Sequence, residues 1–150
     1  GKRWKAALKK LTSHLDRVVT VWRGRSLDQW VHGDVHLANA MTRCDSAEAP
    51  VSLIDLAEVR PGHWVEDAIY LERQFWASPE RLQNQKIVSM MARARRARRL
   101  STSDDYQHLA QVRRALLAAS APAFMKSEGN PVYLAACLDR LETALPEVAK

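Results

Sequence analysis

Residues 32–55 constrain the fold more tightly than any other stretch. The polar run His32-Gly-Asp-Val-His-Leu-Ala-Asn39 feeds directly into two short strand-like segments, Ala40–Arg43 and Val51–Asp55, separated by the turn-rich CDSAEAP. Such a pattern predicts a β-hairpin with a loop longer than the commonest two-residue turns. Paired strands lie about 5 Å apart, so a hairpin here returns Asp55 to the neighbourhood of Asn39. Asp34, Asn39 and Asp55 then share one end of it. Two carboxylates and an amide carbonyl are hard oxygen donors of the kind Mg²⁺ prefers, and Mg²⁺ usually completes its octahedron with phosphates and water. Phosphate chemistry is the expectation.

The rest of the chain reads as helix. Trp4, Ala7, Leu8, Leu11, Leu15, Val18 and Val19 recur at three- and four-residue steps, predicting one amphipathic helix that ends near Arg23-Gly24-Arg25. Trp64 to Trp76 carries a broad apolar face. Ser78-Pro79-Glu80 supplies an N-cap and an N1 proline for a long helix reaching about Leu100, with Ile87, Met90, Met91, Ala94 and Ala97 as its stripe. Ser103-Asp104-Asp105 caps another, to about Ser120. Asn130-Pro131 opens the last, whose stripe is Val132, Ala135, Ala136, Leu138, Leu141 and Leu145. The predicted class is α+β, mainly α: one unit of helices around a functional loop and one β-hairpin. No repeats or low-complexity linkers interrupt it, and 150 residues suit a single domain.

Charge narrows the choice of partner. The formal net charge is +6, but it is unevenly placed. Residues 1–27 hold eight Lys/Arg against one Asp, residues 28–80 three against ten acids, and residues 81–150 twelve against six. The functional segment is thus acidic, which suits cations and argues against a nucleic-acid ligand there. Arg93, Arg95, Arg96, Arg98 and Arg99 read as a solvated basic face, and Glu66 as a solvated helix residue. The five tryptophans, mostly beside apolar neighbours, are expected in a core or at an interface between lobes. Cys44 and Cys137 stand outside any metal or redox spacing and are expected to be reduced. No run is apolar enough for a membrane span or a signal peptide, so a cytoplasmic address is expected.

HGDVHLAN at 32–39, LIDLAEVRPG at 53–62 and WVEDAIYL at 64–71 together resemble the C-terminal lobe of the aminoglycoside phosphotransferase and choline kinase family, which is similar in fold to protein kinases. The family's signature is a His-Gly-Asp-x-His-x-x-Asn loop, an Ile-Asp strand end, a following Gly and an aspartate in the next helix. All four occur here in order, and three motifs in series are more specific than any one. The resemblance implies ATP, or another nucleoside triphosphate, and Mg²⁺ as cofactors, with the hydroxyl of a small molecule as acceptor. It assigns Asp34 as the catalytic aspartate that takes or orients the hydroxyl proton, and Asn39 and Asp55 as the magnesium ligands. His32, Gly33, His36 and Asp67 are then loop-supporting, with Asp67 bracing the loop from the helix. Family members act on aminoglycosides, macrolides, choline, homoserine and sugars, so the resemblance does not choose the acceptor.

A phosphotransferase of this kind also needs a phosphate-covering loop and a strand lysine. The five glycines, at 1, 24, 33, 62 and 129, are too dispersed to form that loop. The nucleotide-binding residues are therefore unknown, and the expectation is a single C-terminal lobe over 1–150, a fragment whose N-terminal lobe is absent and which alone turns over slowly or not at all. Two other functions compete. A metal-dependent hydrolase would align His32, Asp34 and His36 on one side of an extended strand. A non-catalytic basic module would act through Lys2–Lys10 and the 93–99 run, with steeply salt-dependent binding.

Overall fold

A computed structural model describes residues 1–102, 104–124 and 129–150. Of the expected cap Ser103-Asp104-Asp105, Ser103 lies outside the described residues.

Helix α3 (Val65–Glu72) is the centre of the molecule. Val65, Ala68 and Ile69 are fully buried on it, each larger side chain contributing roughly 1.5–3 kcal/mol by leaving water. Around it pack α4 (Ile87–Ala97) and α5 (Tyr106–Ser120), and α5 in turn packs along α6 (Pro131–Val148). Small residues on α5, Ala115 and Ala118, let it lie close to Leu141, Ala144 and Leu145 of α6 in one continuous core. Asp105 caps α5 by accepting from the His108 N–H, and Asn130 caps α6 by accepting from Val132 N–H with Pro131 at the first helical position.

The N-terminal helix is interrupted. α1 (Lys2–Ser13) ends at His14 and α2 (Leu15–Arg23) begins beyond it. Just before the break, Thr12 Oγ1 and Ser13 Oγ donate to the carbonyls of Leu8 and Lys10, side-chain bonds that compete with the backbone ladder. Beyond the break Val18 is buried in line with Ala7 and Leu11, while Leu15 and Val19, expected on the same face, are exposed.

The long helix expected from Pro79 is likewise divided. Pro79–Leu82 forms a 3₁₀ turn, Gln83 and Asn84 take left-handed backbone conformations (φ 47° and 64°), and α4 starts only at Ile87. Left-handed residues terminate a helix, and asparagine tolerates that region better than most. The faces also shift: α4 buries Ile87, Val88 and Ala92 while Met90, Ala94 and Ala97 are exposed, and α6 buries Cys137, Leu138, Leu141, Ala144, Leu145 and Val148 while Val132 and Ala135 are exposed.

The described residues form two antiparallel strand pairs. β2 (Ala40–Thr42) and β3 (Val51–Leu53) form the expected hairpin in the register Ala40↔Leu53. The second pair, β1 (Gln29–Val31) with β4 (Arg60–Gly62), was not expected; it aligns Val31 with Arg60 and Gln29 with Gly62. Gly62 is required there, because a Cβ would sit 2.8 Å from Val31 Cγ2 and 2.9 Å from Glu66 Oε1. No helix among the described residues is long and apolar enough to cross a membrane.

Candidate functional site

The loop after β1 is held by one stripe of α3 and the 3₁₀ turn that continues it (Arg73–Phe75). Asp67, Tyr70 and Gln74 are spaced at i, i+3 and i+7, which puts them on one face. Asp67 accepts from the backbone N–H groups of His32 (2.8 Å) and Gly33 (2.9 Å). Tyr70 donates its hydroxyl to Asp34 Oδ1 at 2.7 Å. Gln74 Oε1 accepts from Leu37 N–H at 3.2 Å. The three helix residues thus meet the loop in chain order. Tyr70 and Gln74 were not anticipated; the signal available was a polar stripe at helical spacing in an otherwise apolar segment.

Within the loop every polar side chain has a defined partner. His32 is buried; its Nε2–H donates to the Ile54 carbonyl at 2.9 Å and its Nδ1 accepts from the Asp34 N–H at 3.3 Å, an assignment of the neutral tautomer from its partners. Asn39 donates its amide to the Asp34 carbonyl (3.0 Å) and to Asp34 Oδ2 (3.3 Å). Its side-chain carbonyl is left without a protein partner among the described residues. His36 Nε2 stands 3.5 Å from Asp34 Oδ2. Asp34, about one-third exposed, has its carboxyl held below the usual range, chiefly by the Tyr70 hydroxyl and further by His36 and Asn39, against a smaller opposing effect of burial. It is therefore an ionised base with one oxygen fixed and the other facing His36 and Asn39.

Asp55 reaches this place through its neighbour. Ile54 N–H bonds the Asn39 carbonyl at 3.0 Å while the Ile54 carbonyl takes the His32 bond, so the return strand is tied to both ends of the loop. Asp55 itself is exposed and left-handed (φ 60°). Gly33 is left-handed too (φ 82°), and a Cβ on it would lie 2.4 Å from the Glu58 carbonyl oxygen. The loop and the segment following Asp55 therefore touch backbone to backbone.

Glu66 is not the solvated residue expected. It is buried and receives Arg25 Nε (2.8 Å), Arg60 Nη2 (2.7 Å) and His63 N–H (3.0 Å). Burial pushes its carboxyl up, but those donors outweigh it and the net shift is downward. This knot ties the chain after α2 to β4 and α3, which fixes β1 and so the entry to the loop.

For a metal, the fit is limited and specific. Among the described residues no group of three or more His, Cys, Asp or Glu side chains could hold an ion. The free Asn39 carbonyl and the exposed Asp55 carboxylate provide two hard oxygens, which fits Mg²⁺ bound partly through phosphate oxygens and does not fit an all-protein cage. The hydrolase alternative fares worse. β1 ends at Val31, so His32, Asp34 and His36 are not on an extended strand, and both ring nitrogens of His32 are already engaged.

The tryptophans divide. Trp64 and Trp76 are buried, Trp4 and Trp22 half-buried, and Trp30 is 75% exposed. Leu37, Met41, Val51, Leu53, Ile54 and Leu56 are exposed with it on segments around the loop. In the arginine-rich helix, Arg95 is turned inward, donating to the Ser101 carbonyl and standing 5.5 Å from the Trp64 ring.

No protein-family model matches the chain, and no curated protein and no solved structure matches it either.

Proposed function

We propose that residues 32–74 form the acceptor-activating half of an ATP-dependent phosphotransferase acting on the hydroxyl of a small molecule, as the resemblance to the aminoglycoside phosphotransferase and choline kinase family implies. The observation that carries this reading is the Asp34 carboxylate: ionised, clamped on Oδ1 by Tyr70, and bonded on Oδ2 by the amide of Asn39, whose own carbonyl remains free. A loop braced this closely is what positioning chemistry requires, since phosphoryl transfer asks a protein chiefly to align groups and neutralise charge.

In this reading Asp34 accepts the proton of the acceptor hydroxyl as its oxygen bonds to the γ-phosphorus and the bond to the departing nucleoside diphosphate breaks. Asn39 and Asp55 hold Mg²⁺, which when bound neutralises phosphate charge. His32 and Asp67 keep the loop backbone in place, and His36 adds to the field that keeps Asp34 ionised. The nucleotide clamp is assigned to an N-terminal lobe not contained in these 150 residues. Support comes from the dispersal of the glycines, which leaves these residues without a phosphate-covering loop.

The test is phosphoryl transfer from ATP to a panel of hydroxyl acceptors by the protein carrying that lobe, with Asp34→Asn as control. Loss of transfer in the variant is expected. Transfer that survives Asp34→Asn, or robust transfer by the 150-residue chain alone, would overturn the reading.

A further inference from the structure

Behind α3, on the side turned away from the loop, lies a cavity of about 610 Å³. It opens between the 3₁₀ turn Pro79–Leu82, the first turn of α4, α5 and Arg140 of α6, and neither the loop 32–39 nor Asp55 contributes to its wall. The volume falls within the range of small-molecule sites, roughly 300–1,000 Å³.

Its chemistry is uneven. Phe75, Trp76 and Tyr106 supply aromatic surface, with Ile87, Val88 and Ala110 beside them. Three cations line it, Lys86, Arg114 and Arg140, against one acid, Glu72. That acid is already spent: buried, it takes both Arg114 Nε (2.8 Å) and Nη2 (2.6 Å) and the Trp76 indole N–H (3.1 Å). The Glu72–Arg114 pair is therefore neutral within itself and has no strong acceptor left for a cationic guest. Lys86 and Arg140 are the charges left over; among the described residues neither has a carboxylate within ion-pair distance. Arg140 stands 6.0 Å from the Trp76 ring centroid, so charge and aromatic face are adjacent. The α4 N-terminus adds to the same sign, since Ile87, Val88 and Ser89 all line the cavity and the helix has neither a side-chain cap nor an acidic residue in its first turn.

We infer that this cavity binds a small organic anion with an aromatic body, its carboxylate or phosphate between Lys86 and Arg140 and its ring against the half-buried Phe75 and Tyr106, beside the Glu72-bound Trp76 indole. A neutral aromatic would leave the two cations uncompensated, and an amine would be repelled. The inference is independent of the phosphotransferase reading, because none of these residues takes part in that chemistry.

The experiment is a ¹⁵N NMR titration of the 150-residue chain with phenyl phosphate and with phenylacetate, alongside benzyl alcohol and benzylamine as neutral and cationic counterparts. Expected are saturable shifts of the Trp76 indole N–H and of the Val88 and Ser89 amides with at least one anion, the tighter anion naming the head group. The exposed Trp30 indole serves as the internal control for unspecific contact. Lys86→Gln with Arg140→Gln, two changes at positions that are not buried, should weaken anion binding about ten-fold, as the loss of two partly solvated ion pairs implies, with the circular dichroism spectrum unchanged. Trp76 unmoved by either anion, benzylamine binding as tightly as they do, or affinity unaltered in the double variant would overturn it.

Discussion

Asp67 accepts hydrogen bonds from two consecutive backbone amides, His32 at 2.8 Å and Gly33 at 2.9 Å, one on each carboxylate oxygen. A helix side chain thereby fixes the peptide just before Asp34. Asp67→Ala leaves both part-buried N–H groups without an acceptor, each worth about 1–3 kcal/mol. The variant is expected to be destabilised by an amount of that order in urea unfolding. Its His32 and Gly33 amides should exchange with solvent much faster than in the parent, while amides in α5 and α6 change only with global stability. Unchanged exchange at His32 and Gly33 would show that the loop is held by something else.

Tyr70 acts on the next residue. Its hydroxyl is the leading reason that the Asp34 carboxyl titrates below its ordinary range. Tyr70→Phe keeps the ring and removes the donor, so the Asp34 carboxyl should titrate at higher pH, as followed by ¹³C NMR of its side chain. The direction is the test: a carboxyl that titrates unchanged or lower rules out Tyr70 as the controlling donor. If Asp34 is the base proposed, the acidic limb of the rate profile should move up in parallel.

Gly33→Ala probes the backbone. A side chain there must adopt φ near 82° and meet the Glu58 carbonyl at 2.4 Å. The left-handed conformation alone costs an alanine about 1–2 kcal/mol, and the contact adds to it. A melting temperature several degrees lower is expected, with Gly24→Ala, in ordinary right-handed backbone at the end of α2, as a mild comparison.

What could be read ahead of the structure follows a physical boundary. Asn39 and Asp55 were expected together because a hairpin is a local device, set by two apolar runs and the turn between them, and the register Ala40↔Leu53 brings those ends together. The β1–β4 pair offered no such signal: each strand is three residues long, one contains Pro61 and Gly62, and their partnership spans thirty-odd positions. The breaks at His14 and at Gln83-Asn84 escaped for a different reason. Apolar periodicity runs across His14, and at Gln83-Asn84 the polar stretch between Leu82 and Ile87 was read as helix because Ser78-Pro79 supplied a start signal, whereas the left-handed backbone there shows the interruption. The phase of α4 and α6 depended on where α3 and α5 lie, because apolar residues occupy more than one face of each. Within the site, the contact of Asp67 with the loop was anticipated through a resemblance, while Tyr70, Gln74 and the burial of Glu66 required three-dimensional placement.

The Glu72–Arg114 pair joins α3 to α5 with side chains only 11% and 16% exposed. Breaking a buried pair leaves an uncompensated charge and costs about 3–5 kcal/mol, whereas replacing both members by apolar residues of similar size is often neutral. Arg114→Ala is expected to lose about that much, and Glu72→Leu with Arg114→Met to recover part of it, since the buried Trp76 indole N–H then lacks its Glu72 acceptor. A double-mutant cycle in urea measures the difference. Equal losses in the single and double variants would mean that packing and not charge dominates at this contact.

Acid stability should depend on the same carboxylates. For Glu66, burial raises the carboxyl but the His63 amide, Arg25 and Arg60 lower it further; for Glu72, burial is outweighed by Arg114, Trp76 and Arg140. Both therefore titrate below 4.5, their ordinary value, in the folded protein. Between the folded and unfolded values the unfolded chain binds protons that the folded one refuses, so stability rises with pH across that interval. The contribution is complete above the unfolded value and disappears as pH falls through the folded ones. Urea midpoints should accordingly be insensitive to these two groups near neutrality and fall below about pH 4.5. Glu66→Gln and Glu72→Gln lower stability at neutral pH but remove one titrating group each, so each should show a shallower acid decline than the parent. Parallel declines in parent and variants would assign the acid sensitivity to other carboxylates, with Asp34, itself held low by Tyr70, the next to replace.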